Sequence, residues 1–367
     1  MYLLRYKPSD GQPPLELIPA EGRYFDVEPL PHAALAAYLE PEATCQVVLK
    51  NVKTVGTDIP PGQTQTARMR IALEVTEPLY GLVESGWIPF PLMNGDVAFV
   101  DRNVVSKIEN LQAGQTKAPG MPISPQFDLS FAGRLVSPLP YVLEGNLRKT
   151  QTHGELRKTL ARATKAIRRV LPDAHVLPID ADRLSGIHGL LDDKAHFQRK
   201  ATPFLRDVCP SVAQPAGPRQ QVEVERKVLR VAEERGISPN SFVVLAVLSC
   251  LYDNVSSHIH PKVLKPGRAV VKPKLTYSDG DAYAALSDLL FLEFVVLMKG
   301  HGLAQRPVFY THDIGLAAFW SALSPRNFSH DDQGGSTADF TLTSALFPAL
   351  NDDQCAALFD RLQSQMC

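Results

Sequence analysis

Cysteine is scarce and dispersed in this chain. The five cysteines, at 45, 209, 250, 355 and 367, form no Cys-x-x-Cys pair, which argues against a structural zinc site or a disulfide framework and predicts a reducing, cytoplasmic setting. Long apolar runs are missing too. The longest, 242–252 and 289–298, the second interrupted by Glu293, fall well short of the roughly 20 residues that cross a bilayer, so they read as core helices with no membrane partner. Residues 1–8 lack the apolar centre of a signal peptide. Neither sign of charge dominates, since 38 Lys and Arg oppose 39 Asp and Glu for a formal charge of −1, and any site for a polyanion must therefore be local. Walker, Gly-x-Gly-x-x-Gly, Gly-x-Ser-x-Gly and His-Glu-x-x-His patterns are absent, which removes the common ATPase, dinucleotide, hydrolase and metalloprotease signatures.

What is present is a long globular chain. With 367 residues and 44% hydrophobic content, it suffices for one large domain or two ordinary ones. Strand-like runs at 46–49 and 69–75, separated by Pro-Pro-Gly at 60–62, predict an N-terminal β-rich or mixed subdomain over 1–90. The remaining 91–367 read as a larger α/β domain with a long helical middle. Its elements are a strand at 97–100, a helix over 104–110, a loop over 113–126, an amphipathic helix over 154–171, and a proline-rich loop over 209–220. Helices over 223–235, 241–254 and 281–299 follow, then a strand at 308–310 and a helix over 314–323.

The chemistry concentrates in acids. Val97-Ala98-Phe99-Val100 runs directly into Asp101, and ligands of open α/β sheets collect at the carboxyl ends of strands. Val308-Phe309-Tyr310-Thr311-His312-Asp313 is a second apolar run ending in an acid, and Asp288 interrupts the apolar segment 284–292. A buried ionised carboxylate is costly unless it is paired, hydrogen-bonded or bound to a cation. Carboxylates that converge repel one another, and a divalent cation reverses that penalty. Magnesium or manganese, which favour oxygen ligands, are the natural occupants. Asp281 lies on nearly the same helical face as Asp288. The ordinary alternatives are a turn or helix cap for Asp101, Asn103 and Asp313, and a core arginine or histidine partner for Asp288.

These patterns together resemble the PIN-like nuclease family. The resemblance rests on the strand-Asp-x-Asn pattern at 97–103, the acid on a late helix at Asp288, and Thr311-His312-Asp313 followed by a short helix, covering 95–111 and 281–323. It implies an α/β/α sandwich with a central, mainly parallel sheet and Mg2+- or Mn2+-dependent ribonuclease activity, with RNA as partner more than DNA. Asp101, Asp288 and Asp313 would be metal-binding and catalytic, with Asn103 and Thr311 supporting them. Large PIN-like proteins also serve in toxin or antiphage systems. The family commonly has a further glutamate early in a middle helix. Val247 stands where a simple alignment would put it, and Glu225 and Asp253 are the substitutes.

Over 154–171, Leu156, Leu160, Ala163, Ile167 and Leu171 recur at helical spacing, while Arg157, Lys158, Arg162, Lys165 and Arg169 cover the other face. That face suits a nucleic-acid backbone or simply solvent. Tyr252, Tyr277 and Tyr283 are assigned no role. Asp180-Ala181-Asp182 resembles the metal-binding Asp-x-Asp of glycosyltransferases, Asp279-Gly280-Asp281 faintly resembles a Toprim element, and His258-Ile259-His260 has no Cys/His set beside it. Three functions stand in order: a nuclease, a catalytically inactive PIN-like scaffold binding protein or nucleic acid, and a sugar-nucleotide transferase. A protein partner or a homo-oligomer is compatible with each.

Overall fold

The computed structural model describes residues 4–6, 15–19, 26–38, 44–55, 64–72, 79–89, 92, 95, 97–112, 131, 133–145, 151–179, 181–254, 264–300, 306–330 and 336–364. It is mixed α/β, with one mainly parallel sheet and separate antiparallel sheets.

The N-terminal sheet contains β1 (Leu4–Tyr6), β2 (Leu15–Pro19), β3 (Asp26–Val27), β4 (Thr44–Thr54) and β5 (Gln65–Ala72), all paired antiparallel, with the small helix α1 (Ala33–Tyr38) between β3 and β4. The strand-like runs at 46–49 and 69–75 thus lie on or overlap two neighbouring strands. The chain then enters the central sheet earlier than residue 91. β6 (Tyr80–Val83) and β7 (Gly86–Pro89) form a hairpin on its edge. Leu30 and Trp87 exchange backbone hydrogen bonds of 2.7 and 3.2 Å, joining the N-terminal segment to that hairpin.

The central sheet also holds β8 (Val97–Val100), β9 (Leu135–Ser137), β10 (His175–Val176) and β11 (Pro307–Thr311), in the order β10-β9-β8-β11-β6-β7. β10, β9, β8 and β11 run parallel, while β6 is antiparallel to β11. Every residue of β8 and β11 is buried. Because successive side chains of a strand point to opposite faces, such uninterrupted burial requires cover on both. Phe99 and its cross-strand partner Phe309 meet Phe294 and Phe291 on one face, while Tyr310 meets Phe131 on the other.

Helices α2 (Arg102–Gln112), α3 (Leu139–Glu144) and α4 (His153–Val170) follow in chain order. α4 carries the expected amphipathic pattern: Leu156, Ala163, Ala166 and Ile167 are buried, and Thr152 and Glu155 form a reciprocal capping box at its start. α5 (Ala181–Val208) is a 28-residue helix that the sequence reading did not anticipate. Gly186, Gly189 and Pro203 all lie inside it.

The loop expected over 209–220 is instead a short 3₁₀ turn, Cys209–Val212, leading into α6 (Pro218–Glu234). Pro218 sits at the first helical position, where its fixed φ and missing N–H favour helix entry. α7 (Phe242–Leu251), with all ten residues buried, α8 (Pro266–Val271), α9 (Asp279–Gly300), α10 (Ile314–Leu323) and α11 (Asp352–Ser364) complete the helices. The hairpin β12 (Arg326–His330) and β13 (Ser336–Asp339) packs near α9. No described helix is long and apolar enough to cross a membrane. The expected loop over 113–126, Asp180, and His258 to His260 lie outside the described residues, as does the side chain of Asp182.

Candidate functional site

The sheet order creates a switch point between β8 and β11. From β8 the chain proceeds to β9 on one side, whereas α10, following β11, packs on β6 and β7 on the other. A crevice opens where two adjacent parallel strands send their connections in opposite directions. Asp101 and Asp313 follow these two strands.

Asp101 is buried at 7% exposure. Its backbone N–H donates to Tyr310 O at 3.1 Å, extending the β8–β11 ladder, and its Oδ1 accepts from Val104 N–H at 2.8 Å. The capping role is therefore real. Burial nevertheless pushes the carboxyl up to about 7 against hydrogen bonds from Thr311 and Val104 that favour its charge, with the charges of Glu144 and Asp313 pushing the same way as burial. Thr311 Oγ1 also accepts from Asp313 N–H at 2.8 Å. One threonine thus bonds both the Asp101 side chain and the Asp313 backbone.

Asp313 caps α10, its Oδ1 accepting from Gly315 and Leu316 N–H at 2.7 and 3.2 Å. Gly315 allows this arrangement. A Cβ there would stand 2.7 Å from Ala269 Cβ and 3.0 Å from Asp313 Oδ1, so α10 and α8 approach closely only because the position lacks a side chain.

Asp288, on α9, is half-buried and makes no hydrogen bond or ion pair with any described residue. The core arginine or histidine considered for it is not found among the described residues. Burial drives its carboxyl well above the ordinary carboxylate range, followed by the charges of Asp313 and Glu144 and then, against Lys272, that of Asp101. Lys272 is exposed at the end of α8 in the left-handed region, at φ 51° and ψ 55°.

The fourth member, Glu144, is an acid the sequence reading missed. It ends α3, directly beyond β9, the parallel neighbour of β8. Burial raises its carboxyl, with Arg102 and Lys194 opposing. Arg102 Nη1 donates to Glu144 Oε1 and Gly145 O, each at 3.3 Å, and Lys194 Nζ donates to Leu143 O and Glu144 O at 2.6 and 3.3 Å. Tyr283, on the helix that carries Asp288, donates its hydroxyl to Glu144 O. The available signal was the run Leu135-Val136-Ser137 with an acid seven residues beyond it, but three strand residues followed by two prolines are too short to register as a strand-to-helix unit.

Four acids from four elements therefore share one electrostatic neighbourhood. No family model, curated protein or solved structure matches this chain. The site rests on its own geometry.

The other candidates lie apart from this cluster. Asp281 accepts from Lys274 Nζ at 2.6 Å and from Ser278 N–H and Oγ–H at 3.1 and 2.8 Å. The Lys274 and Ser278 bonds hold its carboxyl down at about 2. Asp279 pairs with Arg206 at 3.1 Å. Glu225 receives Arg361 at 2.9 and 3.0 Å and the Tyr252 hydroxyl, and Asp253 is paired with Arg268 and Lys265. Asn103 is exposed in the first turn of α2 and makes no hydrogen bond to the acids. Arg157, Lys158, Arg162, Lys165 and Arg169 are exposed on α4, with Arg162 held by Glu109 at 2.9 Å and by Tyr141. α4 packs on α2 and α3, the helices that begin beside Asp101 and end at Glu144.

A cluster of carboxylate oxygens is the donor chemistry of a hard divalent cation. Among the described residues, no group of three or more His, Cys, Asp or Glu side chains is gathered tightly enough to hold a metal ion.

Proposed function

We propose that the protein is a metal-dependent PIN-like nuclease that hydrolyses phosphodiester bonds in RNA. The observation that carries this reading is that Asp101, Asp313 and Glu144 follow three adjacent parallel strands, β8, β11 and β9, with Asp288 in their electrostatic neighbourhood; burial raises the carboxyls of Asp101, Asp288 and Glu144, and repulsion from Asp313 adds to the first two. Asp288 has no ion-pair partner among the described residues and Asp101 has hydrogen bonds alone, whereas acids needed only for stability would be paired or replaced. Negative charge held together at an energetic cost suits a cationic cofactor.

In this reading Asp101 and Asp288 would hold the cation, with Asp313 offering the oxygen not committed to the α10 cap and Glu144 a further acid beside them. When bound, magnesium or manganese lowers the pKa of a water and neutralises charge developing on the phosphate. Thr311 keeps Asp101 and Asp313 in register, Arg102 orients Glu144, and Lys272 stands beside Asp288 as a phosphate contact. The exposed cations of α4 extend the path for the nucleic-acid backbone.

The test is cleavage of end-labelled single-stranded RNA by the purified protein with Mg2+ or Mn2+, beside the Asp101→Asn, Glu144→Gln and Asp288→Asn variants. Metal-dependent cleavage that each variant lowers by about a hundredfold or more, the scale of losing one preorganised charged contact, is expected. No cleavage of RNA or single-stranded DNA, together with metal binding unaltered in Asp101→Asn, overturns it. The lack, among the described residues, of a three-acid group around one point favours a second reading, a PIN-like scaffold that binds RNA without cutting it. RNA affinity retained without metal-dependent products would select that reading.

A further inference from the structure

Glu293 is a half-buried acid that the carboxylate cluster leaves unused. It lies on α9, more than one turn beyond Asp288, and lines a partly open cavity of about 670 Å³ bordered by α3, α5, α7, α9 and β13. That volume is in the range of small-molecule sites, roughly 300–1,000 Å³. Its walls are chiefly apolar, with Leu190, Phe197, Phe242, Leu290, Phe294 and Phe340 among them.

Glu293 makes no hydrogen bond or ion pair with any described residue, and burial alone pushes its carboxyl up to about 7. None of the four clustered acids contributes to that shift, so the group is electrostatically separate even though Glu144 forms part of the same wall. The buried hydroxyls of Ser241 and Ser336 also line the cavity without a hydrogen-bond partner among the described residues. Ser241 sits at the cap position of α7 yet makes no capping bond.

The polar complement decides the sign of the ligand. Among the described lining residues the cation is Lys194, and its ammonium is already committed to Leu143 O and Glu144 O and lies 5.2 Å from the Tyr283 ring centre. The acids are Glu144, Asp193 and Glu293, with Asp193 exposed. A carboxyl that faces an apolar cavity without a donor is partly desolvated at a cost, and an ammonium supplied by a ligand would satisfy it while the apolar walls take the ligand's body.

We propose that this cavity binds an apolar amine, its ammonium donating to Glu293 and its hydrocarbon body lying against the phenylalanines. The site stands independently of the nuclease reading and is read by binding, not by cleavage.

Calorimetric titration with n-octylamine, n-octanoate and n-octanol tests it, three probes of equal chain length that differ at the head group. Octylamine should bind one-to-one and at least about tenfold tighter than octanoate, roughly 1.4 kcal/mol. Glu293→Gln should abolish that preference, and Leu290→Trp, which fills the cavity from α9, should remove octylamine binding while Glu293 remains. Equal binding of the three probes, tighter binding of octanoate, no binding of octylamine, or a preference unchanged in Glu293→Gln would each overturn the proposal. Binding of adenosine but not octylamine, lost in Glu293→Gln, would overturn it in favour of a base pocket.

Discussion

Two sets of acids in this protein share a residue type and a depth but not a fate. In the C-terminal helical region, Asp253 is 2% exposed in its side chain and grips Arg268, whose guanidinium also donates to Ala213 O, Val212 O and Cys250 O. Glu225 is held by both Arg361 donors and by Tyr252. At the sheet edge, Asp288 has no such partner, Asp101 has only a hydroxyl and a backbone amide, and the strongest charges acting on Asp288 are those of other acids. Charge opposed by guanidinium is framework, whereas like charge gathered without a counterion, as at Asp101 and Asp288, costs stability and requires something from outside; Glu144, which faces Arg102 at 3.3 Å, stands between the two. Burial alone does not separate the two cases; the identity of the neighbours does.

The sharpest way to break the comparison is to remove partners from the framework set. Replacing both Arg268 and Lys265 by Ala leaves Asp253 buried and uncompensated and should cost about 3–5 kcal/mol, measured by urea unfolding. A loss below 1 kcal/mol would place Asp253 in the same class as the sheet-edge acids.

The opposite sign is expected for Asp101→Asn. The folded carboxyl titrates at about 7, above its ordinary 3.8, so its contribution is fully present below pH 3.8 and is lost as pH rises through 7. Asparagine retains a cap acceptor for Val104 N–H without the charge. The variant should therefore be more stable than the wild type at pH 8, by up to about 4 kcal/mol, while losing metal-dependent cleavage. Added Mg2+ should narrow the stability gap by stabilising the wild type alone. Equal stabilities at pH 8 would remove the strain assigned to this site.

Glu293 offers a third class, unpaired but alone. Its carboxyl is raised from 4.5 to about 7, so stability should fall by about 3 kcal/mol between pH 4 and 8 from this group. Thermal unfolding across that range should show Glu293→Gln lacking this component. Saturating octylamine should restore wild-type stability at pH 8, and a pH profile identical in both proteins would contradict the burial assigned to Glu293.

The smallest effect belongs to backbone packing. Gly315→Ala should destabilise by about 1–3 kcal/mol through overpacking against Ala269, and should weaken metal binding by displacing Asp313. Loss of stability with metal affinity intact would separate the α10 cap from the site.

Much of the fold was legible locally. The run 97–100 has the valine and phenylalanine content of a strand, α4 repeats its apolar positions at helical spacing, and α10 begins immediately after its capping acid. α5 was not, because glycine and proline within it mimic a break, and neither was the 80–89 hairpin's membership of the central sheet, which depends on pairing with β11 far along the chain. Among the site acids, Asp101, Asp288 and Asp313 stood out because each interrupts or ends a strongly apolar segment. Glu144 did not, since it closes a six-residue helix behind a three-residue strand. Glu225 and Asp253 looked equally eligible in sequence, for nothing local reveals that Arg361 and Arg268 arrive beside them.

Residue order alone was enough to set where chains extend, where helices start, and which acids interrupt apolar surroundings, because propensity, periodicity and capping act over a few residues. It could not decide which acids meet. That outcome depends on the parallel pairing of β8 with β11 and β9, which carries Asp101, Asp313 and Glu144 to one edge and lays Asp288 across them. Coulomb interaction depends on distance through space, and only the folded sheet sets that distance.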